Sequence, residues 1–182
     1  MKAGGVGGGN TITGLHFERR CDLITLLEAV PGYDVRPILG KAGSGIYYEG
    51  KLVARSFKKH GFYKFLAEHG IDWRTRLSCQ LLPDDAILVI VRKTLHIVEI
   101  KFQQGVGSVD EKIQTCDFKR KQYLKLVDGL GLTVAYTYVL NSDWWDKPRY
   151  KDALDYIRSM NCDYCFDTLP LAWLGLPDPD TA

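Results

Sequence analysis

Apolar positions along the chain recur at two different spacings, and the spacing predicts the elements. Leu15, Leu23, Ile24, Leu26, Leu27 and Val30 fall at helical intervals. They predict a first helix that begins near Thr13, a good N-capping residue, and ends at Pro31-Gly32. Ile46–Tyr48 and Leu52–Arg55 flank Glu49-Gly50 and read as a hairpin. A short helix follows around Phe62–Glu68, stopped by Gly70. Ala86–Val91 is apolar and rich in β-branched residues, as a buried strand is, and Arg92-Lys93-Thr94 turns it into a second strand, Leu95–Gln103. Ser108-Val109-Asp110-Glu111 has the spacing of a capping box and predicts a long helix to about Val127, ended by Gly129 and Gly131. Leu132–Leu140 reads as another buried strand, Tyr150–Met160 as a last helix, and Tyr164–Leu169 as extended chain.

A strand, a crossover helix and a further strand imply a βαβ unit within a mixed sheet, with helices covering both faces. The expected class is therefore α/β. Residues 1–12 are glycine-rich and read as a flexible N-terminus, with 13–182 forming one domain. The glycines are not a P-loop, because no Gly-Lys-Ser/Thr follows them.

Composition narrows the class. A chain of 182 residues that is 46% hydrophobic can bury a core without staples. No apolar run has the length of a membrane span, and the N-terminus lacks the apolar stretch of a signal peptide, so a cytoplasmic protein is expected. Five cysteines in unlike contexts do not suggest a disulfide framework, and Cys162-x-x-Cys165 lacks the second pair that a structural zinc needs, so both read as partly buried thiols. A net charge of +2 argues only weakly for a nucleic-acid partner. The local distribution says more. Lys51, Arg55, Lys58, Lys59 and Lys64 form one basic cluster, and Lys119, Arg120, Lys121 and Lys125 another; local patches can neutralise phosphates.

The candidate chemistry lies in the centre. Pro83-Asp84-Asp85 precedes the first central strand, and Glu99-Ile100-Lys101 lies inside the second. Alternation turns Glu99, Lys101 and Gln103 to one face. An antiparallel pair brings the start of the first strand beside the far end of the second, so two carboxylates and an ammonium can converge. Such a set suits phosphodiester hydrolysis: Mg²⁺ takes one or two carboxylates and keeps several waters. Three other acidic-x-Lys tripeptides, at Glu49, Asp110 and Asp117, fall in a predicted turn or helix. Only Glu99-x-Lys101 interrupts an apolar strand, where charge is costly unless it is paired or metal-bound. A structural ion pair is the competing reading.

The Pro83-Asp84 … Glu99-Ile100-Lys101 pattern resembles the PD-(D/E)XK nuclease motif, and the element order over roughly residues 13 to 140 resembles that superfamily's restriction-endonuclease-like αβββαβ core. Gly9-Asn10-Thr11-Ile12-Thr13-Gly14-Leu15 with Phe17-Glu18, and the run from Glu99 through Gln103 to Gly107-Ser108-Val109-Asp110-Glu111-Lys112, are similar to type II restriction endonucleases in particular. The resemblance implies a Mg²⁺-dependent, site-specific endonuclease of double-stranded DNA (Mn²⁺ as a substitute ion) that leaves 5′-phosphate and 3′-hydroxyl ends without a covalent intermediate. Asp84, Glu99 and the Ile100 carbonyl would hold the metal, and Lys101 would orient or activate the water. Glu18 resembles the extra carboxylate that some members place near a second metal. Gln103 would orient a water or touch DNA. Asp85 is an alternative ligand to Asp84. The resemblance also implies a homodimer on a palindromic site and no nucleotide cofactor. Candidates for DNA contact are Lys58, Lys59, Arg74, Arg76, Ser108, Asp110, Lys112 and Lys119. The alternatives are a repair, junction or nicking nuclease on the same fold, and a DNA-binding protein that does not cut.

The remaining motifs read as structure. His16, His60, His69 and His96 lack zinc-site spacing, Gly45-Ile46-Tyr47-Tyr48 reads as hairpin sequence, and Trp144-Trp145 with Tyr150 reads as core or rim packing.

Overall fold

The computed structural model describes residues 14–16, 23–58, 60–82, 86–104 and 109–179. The fold is mixed α/β. A seven-stranded sheet runs in chain order through β2 (Tyr33–Pro37), β3 (Ser44–Tyr48), β4 (Lys51–Phe57), β5 (Ala86–Val91), β6 (Thr94–Lys101), β7 (Thr133–Leu140) and β8 (Asp163–Phe166). The pairs from β2 to β6 are antiparallel, and β6–β7 and β7–β8 are parallel. The expected hairpin is β3–β4, and its turn residues Glu49 and Gly50 have φ of 48° and 76°. Two positive φ angles in a two-residue loop match the twist of the strands. The helices are α1 (Leu23–Glu28), α2 (Gly61–Glu68), α3 (Val109–Lys112), α4 (Cys116–Val127), α5 (Ser142–Trp145) and α6 (Lys151–Ser159).

Two apolar clusters lie on opposite sides of the sheet. Phe57, Leu95, Ile97, Tyr136 and Tyr138 pack with Phe62 and Leu66 of α2, Tyr123 and Leu126 of α4 and Ile157 of α6. Ile46, Val91, Val98 and Val139 pack with Leu23 and Leu27 of α1 and with Leu169, Leu171 and Leu174. Alternation along β6 assigns Leu95 and Ile97 to the first face and Val98 to the second.

Three expectations change. The first helix does not begin near Thr13: Gly14–His16 is a strand, β1, paired antiparallel with β9 (Thr168–Pro170). Leu15 is buried against the second cluster opposite Leu169, and the Oγ1 of Thr168 lies 3.1 Å from His16 Nδ1. The eight-residue spacing from Leu15 to Leu23 fits a helical period, which is why two separate elements read as one. The long helix is broken by a 3-10 turn at Ile113–Thr115. The Lys112 carbonyl accepts from Thr115 Oγ1 at 2.7 Å and from Tyr138 Oη at 3.4 Å, which draws it out of the helical ladder. The second central strand stops at Lys101, two residues before Gln103. Asn141 takes over there: its Oδ1 accepts from the Gln103 amide at 2.8 Å, and its Nδ2 donates to the Gln103 carbonyl.

The cysteine pair separates across the sheet. Cys162 belongs to the first apolar cluster and Cys165 to the second, and both are free thiols. Burial pushes the Cys165 thiol up to about 12. No helix among the described residues is long and apolar enough to cross a membrane.

Candidate active site

Glu99 lies near the end of β6, in phase with Leu95 and Ile97, so its side chain enters the face covered by α2, α4 and α6. It is 2% exposed. A buried carboxylate needs several partners, and Glu99 has three. Lys101 Nζ, two residues along the same face, lies 2.8 Å from Oε1. Lys119 Nζ, from the first turn of α4, donates to Oε1 and Oε2 at 2.8 Å each. The Tyr136 hydroxyl on β7 donates to Oε2. Burial pushes the Glu99 carboxyl up, but the charges of Lys101 and Lys119 and the hydrogen bonds from both outweigh it, and Glu99 is held below the usual carboxylate range. Tyr136 is pushed far up, first by burial and then by the Glu99 charge, so it remains a donor.

The cluster has a direction. Glu99 is closed off, whereas the side chains of Lys101 and Lys119 are 17% and 26% exposed. A single buried anion thus holds two ammonium groups at the rim, with a formal sum of +1. The end of β6 is fixed from the neighbouring element, since Trp145 Nε1 donates to the Lys101 carbonyl at 2.9 Å.

The sequence-predicted residues sort as follows. Glu99 and Lys101 are brought together. Ala86, the first residue of β5, pairs with Glu99 across the antiparallel ladder, as expected of the two central strands. Glu18, Lys59, Asp84, Asp85 and Ser108 lie outside the described residues. Asp110 lies in the helical segment α3. Lys119, expected among the DNA contacts, donates to Glu99 and is partly exposed at the rim. Arg76 is spent on the end of α4, where Nη1 donates to the carbonyls of Lys125, Leu126 and Asp128. Arg74 is exposed and pairs with Asp72 at 3.5 Å. Lys58 and Lys112 are exposed. Trp145 is fully buried and packs on Tyr150, as the core reading required. His96 is buried in β6 out of phase with Glu99, and burial lowers its pKa.

Tyr136 and the role of Lys119 were missed. Alternation in β7 and the parallel register, which pairs Ile97 with Tyr136 and Glu99 with Tyr138, carry the Tyr136 signal once the sheet is known. Tyr136→Phe is expected to cost about 2 kcal/mol, the worth of a buried hydrogen bond to a charged group, and to raise the Glu99 pKa. Urea unfolding at neutral pH measures it; an unchanged midpoint would show that the two lysines alone satisfy the carboxylate.

Among the described residues no three His, Cys, Asp or Glu side chains gather as a metal-ligand group. Glu99 is an ionised oxygen donor of the kind Mg²⁺ takes, with both oxygens engaged by Lys101, Lys119 and Tyr136. Comparison with protein-family models, with curated proteins and with solved structures gives no match.

Proposed function

We propose that the chain is a Mg²⁺-dependent endonuclease of double-stranded DNA, similar in plan to the PD-(D/E)XK enzymes. One observation carries the reading: the buried, ionised Glu99 holds the Lys101 and Lys119 ammonium groups at the rim of the sheet, beside the strand that follows Pro83-Asp84. A strand placed for stability alone has no use for a carboxylate with two cations, since burying an ion pair returns little. A site that binds a phosphodiester does. The two ammonium groups neutralise phosphate oxygens, and the buried anion keeps them in place without giving its own charge to solvent.

The sheet order supports the same reading. β4, β5 and β6 form an antiparallel run, and α3 and α4 carry the chain across to β7, parallel to β6. In the sequence Asp84 precedes Ala86, the ladder partner of Glu99, by two positions. Glu99, Asp84 and the Ile100 carbonyl would hold Mg²⁺, which when bound supplies Lewis-acid charge at the scissile phosphate. Lys101 orients the attacking water and donates to a phosphate oxygen. Lys119 holds Glu99 and adds a second positive charge. Tyr136 fixes the Glu99 rotamer. In-line attack leaves a 5′-phosphate and a 3′-hydroxyl. A two-fold dimer on a palindromic site is the assembly this activity calls for.

Incubation of the purified chain with a sequenced plasmid and Mg²⁺, followed by end mapping, tests the proposal. The expected result is a set of discrete fragments with 5′-phosphate ends that disappears with EDTA. Plasmid left supercoiled over a range of Mg²⁺ and Mn²⁺ concentrations would overturn it, and cutting confined to branched or nicked substrates would replace it with a structure-selective nuclease.

A further inference from the structure

A recess lies beside α2, and none of Glu99, Lys101, Lys119 or Tyr136 lines it. It is a pocket of about 560 Å³ between α2 and the 3-10 turn Trp73–Thr75. Its floor is apolar: Tyr63 and Ile71 are buried, and Trp73 is half-buried, edge-on to the Tyr63 ring at 5.7 Å. Its rim is polar, with Lys64 and Arg74 as its two cations. His60 and Lys64 are exposed on the first turns of α2, and neither is in an ion pair among the described residues. Arg74 lies over the Trp73 ring, its guanidinium carbon 4.9 Å from the centroid. The one acid there, Asp72, is already committed: its carboxylate accepts from the Arg74 amide at 3.0 Å and pairs with the Arg74 guanidinium. Gln80 adds an amide, with a donor and an acceptor, to the same wall.

We propose that this pocket binds one nucleotide of a DNA strand, its base on the Trp73–Arg74 surface and its phosphate on Lys64 and His60. A guanidinium lying over an indole leaves its own outer face as a surface on which any base can stack. The excess of cations around it supplies the phosphate contact. The volume is of the size that a single unpaired or splayed nucleotide fills. The pocket also borders the segment that carries the chain to β5: the Tyr63 hydroxyl accepts from the Leu81 amide at 2.6 Å and donates to the Leu81 carbonyl at 3.1 Å. Leu81 lies three positions before Asp84. That the nucleotide belongs to a strand being cut rests on the nuclease reading; the pocket's affinity for a nucleotide does not.

Saturation-transfer NMR with the four deoxynucleoside 5′-monophosphates reads the pocket directly, and anisotropy with an eight-nucleotide single strand in Ca²⁺ gives its contribution to strand affinity. The wild-type chain is expected to transfer saturation to base protons. Lys64→Ala/Arg74→Ala, both on exposed side chains, and Trp73→Ala should each abolish the transfer and weaken the oligonucleotide roughly ten-fold. The charge variant keeps the test valid if loss of the indole loosens the fold. Absence of transfer in the wild type, or transfer and affinity unchanged in the charge variant, overturns the proposal. Plasmid cleavage without nucleotide binding would retain the nuclease and remove the pocket. Nucleotide binding lost in both variants, in a chain that cuts no DNA, would retain the pocket and remove the nuclease.

Discussion

Lys101→Ala is expected to lower Mg²⁺-dependent cleavage by on the order of 10³-fold while DNA binding falls only slightly, because a positioned charge at the reacting phosphate is worth that much in other hydrolytic sites. The structure makes this variant a clean one. Glu99 keeps Lys119 at 2.8 Å from both oxygens and keeps the Tyr136 hydroxyl, so its charge stays compensated and the sheet stays intact. The Lys101 carbonyl, held by Trp145, is a backbone group and survives the substitution. Single-turnover cleavage and a filter-binding titration in Ca²⁺ separate the two effects. Wild-type cleavage by the variant would remove Lys101 from the chemistry and leave Lys119 as the ammonium on Glu99 among the described residues.

Glu99→Gln has the largest expected effect on stability. The glutamine leaves two ammonium groups side by side with no anion between them, and breaking a buried pair by removing one partner costs about 3 kcal/mol or more. For a chain of this size that lowers Tm by about 10 °C. The pH dependence follows from the direction of the Glu99 shift. Its folded pKa is depressed, so its contribution to stability is fully present above the ordinary carboxylate pKa and is lost as the pH falls through the lowered folded value. The wild type should therefore lose stability in that acid range with a steeper limb than Glu99→Gln, and the two curves should approach each other at the acid end. Thermal melts from neutral pH into the acid range decide it; parallel curves would mean that Glu99 is not ionised at neutral pH.

Much of the sheet was legible because its signals are local. Glu49-Gly50 announces a hairpin, the β-branched run from Ala86 announces β5, and one turn of two residues forces β5 and β6 to pair antiparallel. Glu99 and Lys101 were legible for the same reason: alternation alone puts them on one face. Lys119 was not, because which turn of α4 faces Glu99 depends on how the helix crosses the sheet, and the break at Ile113–Thr115 resets its phase. Tyr136 and Trp145 were missed as partners of the site because the register of β7 on β6, and the fold-back of α5, are tertiary facts. The first helix was overextended because Leu15 satisfies its burial through a strand 152 positions away, counted between His16 and Thr168, and no window of sequence sees that distance.

That remote ribbon between β1 and β9 bears on how the molecule assembles. Closing so long a loop costs entropy in an open chain, and most of that cost is already met once β2 to β8 have zipped together. The ribbon is therefore closed most cheaply after the sheet exists. Its opening leaves the ladder around Glu99 unbroken, so the chain can loosen at this seam while the Glu99 cluster stays assembled.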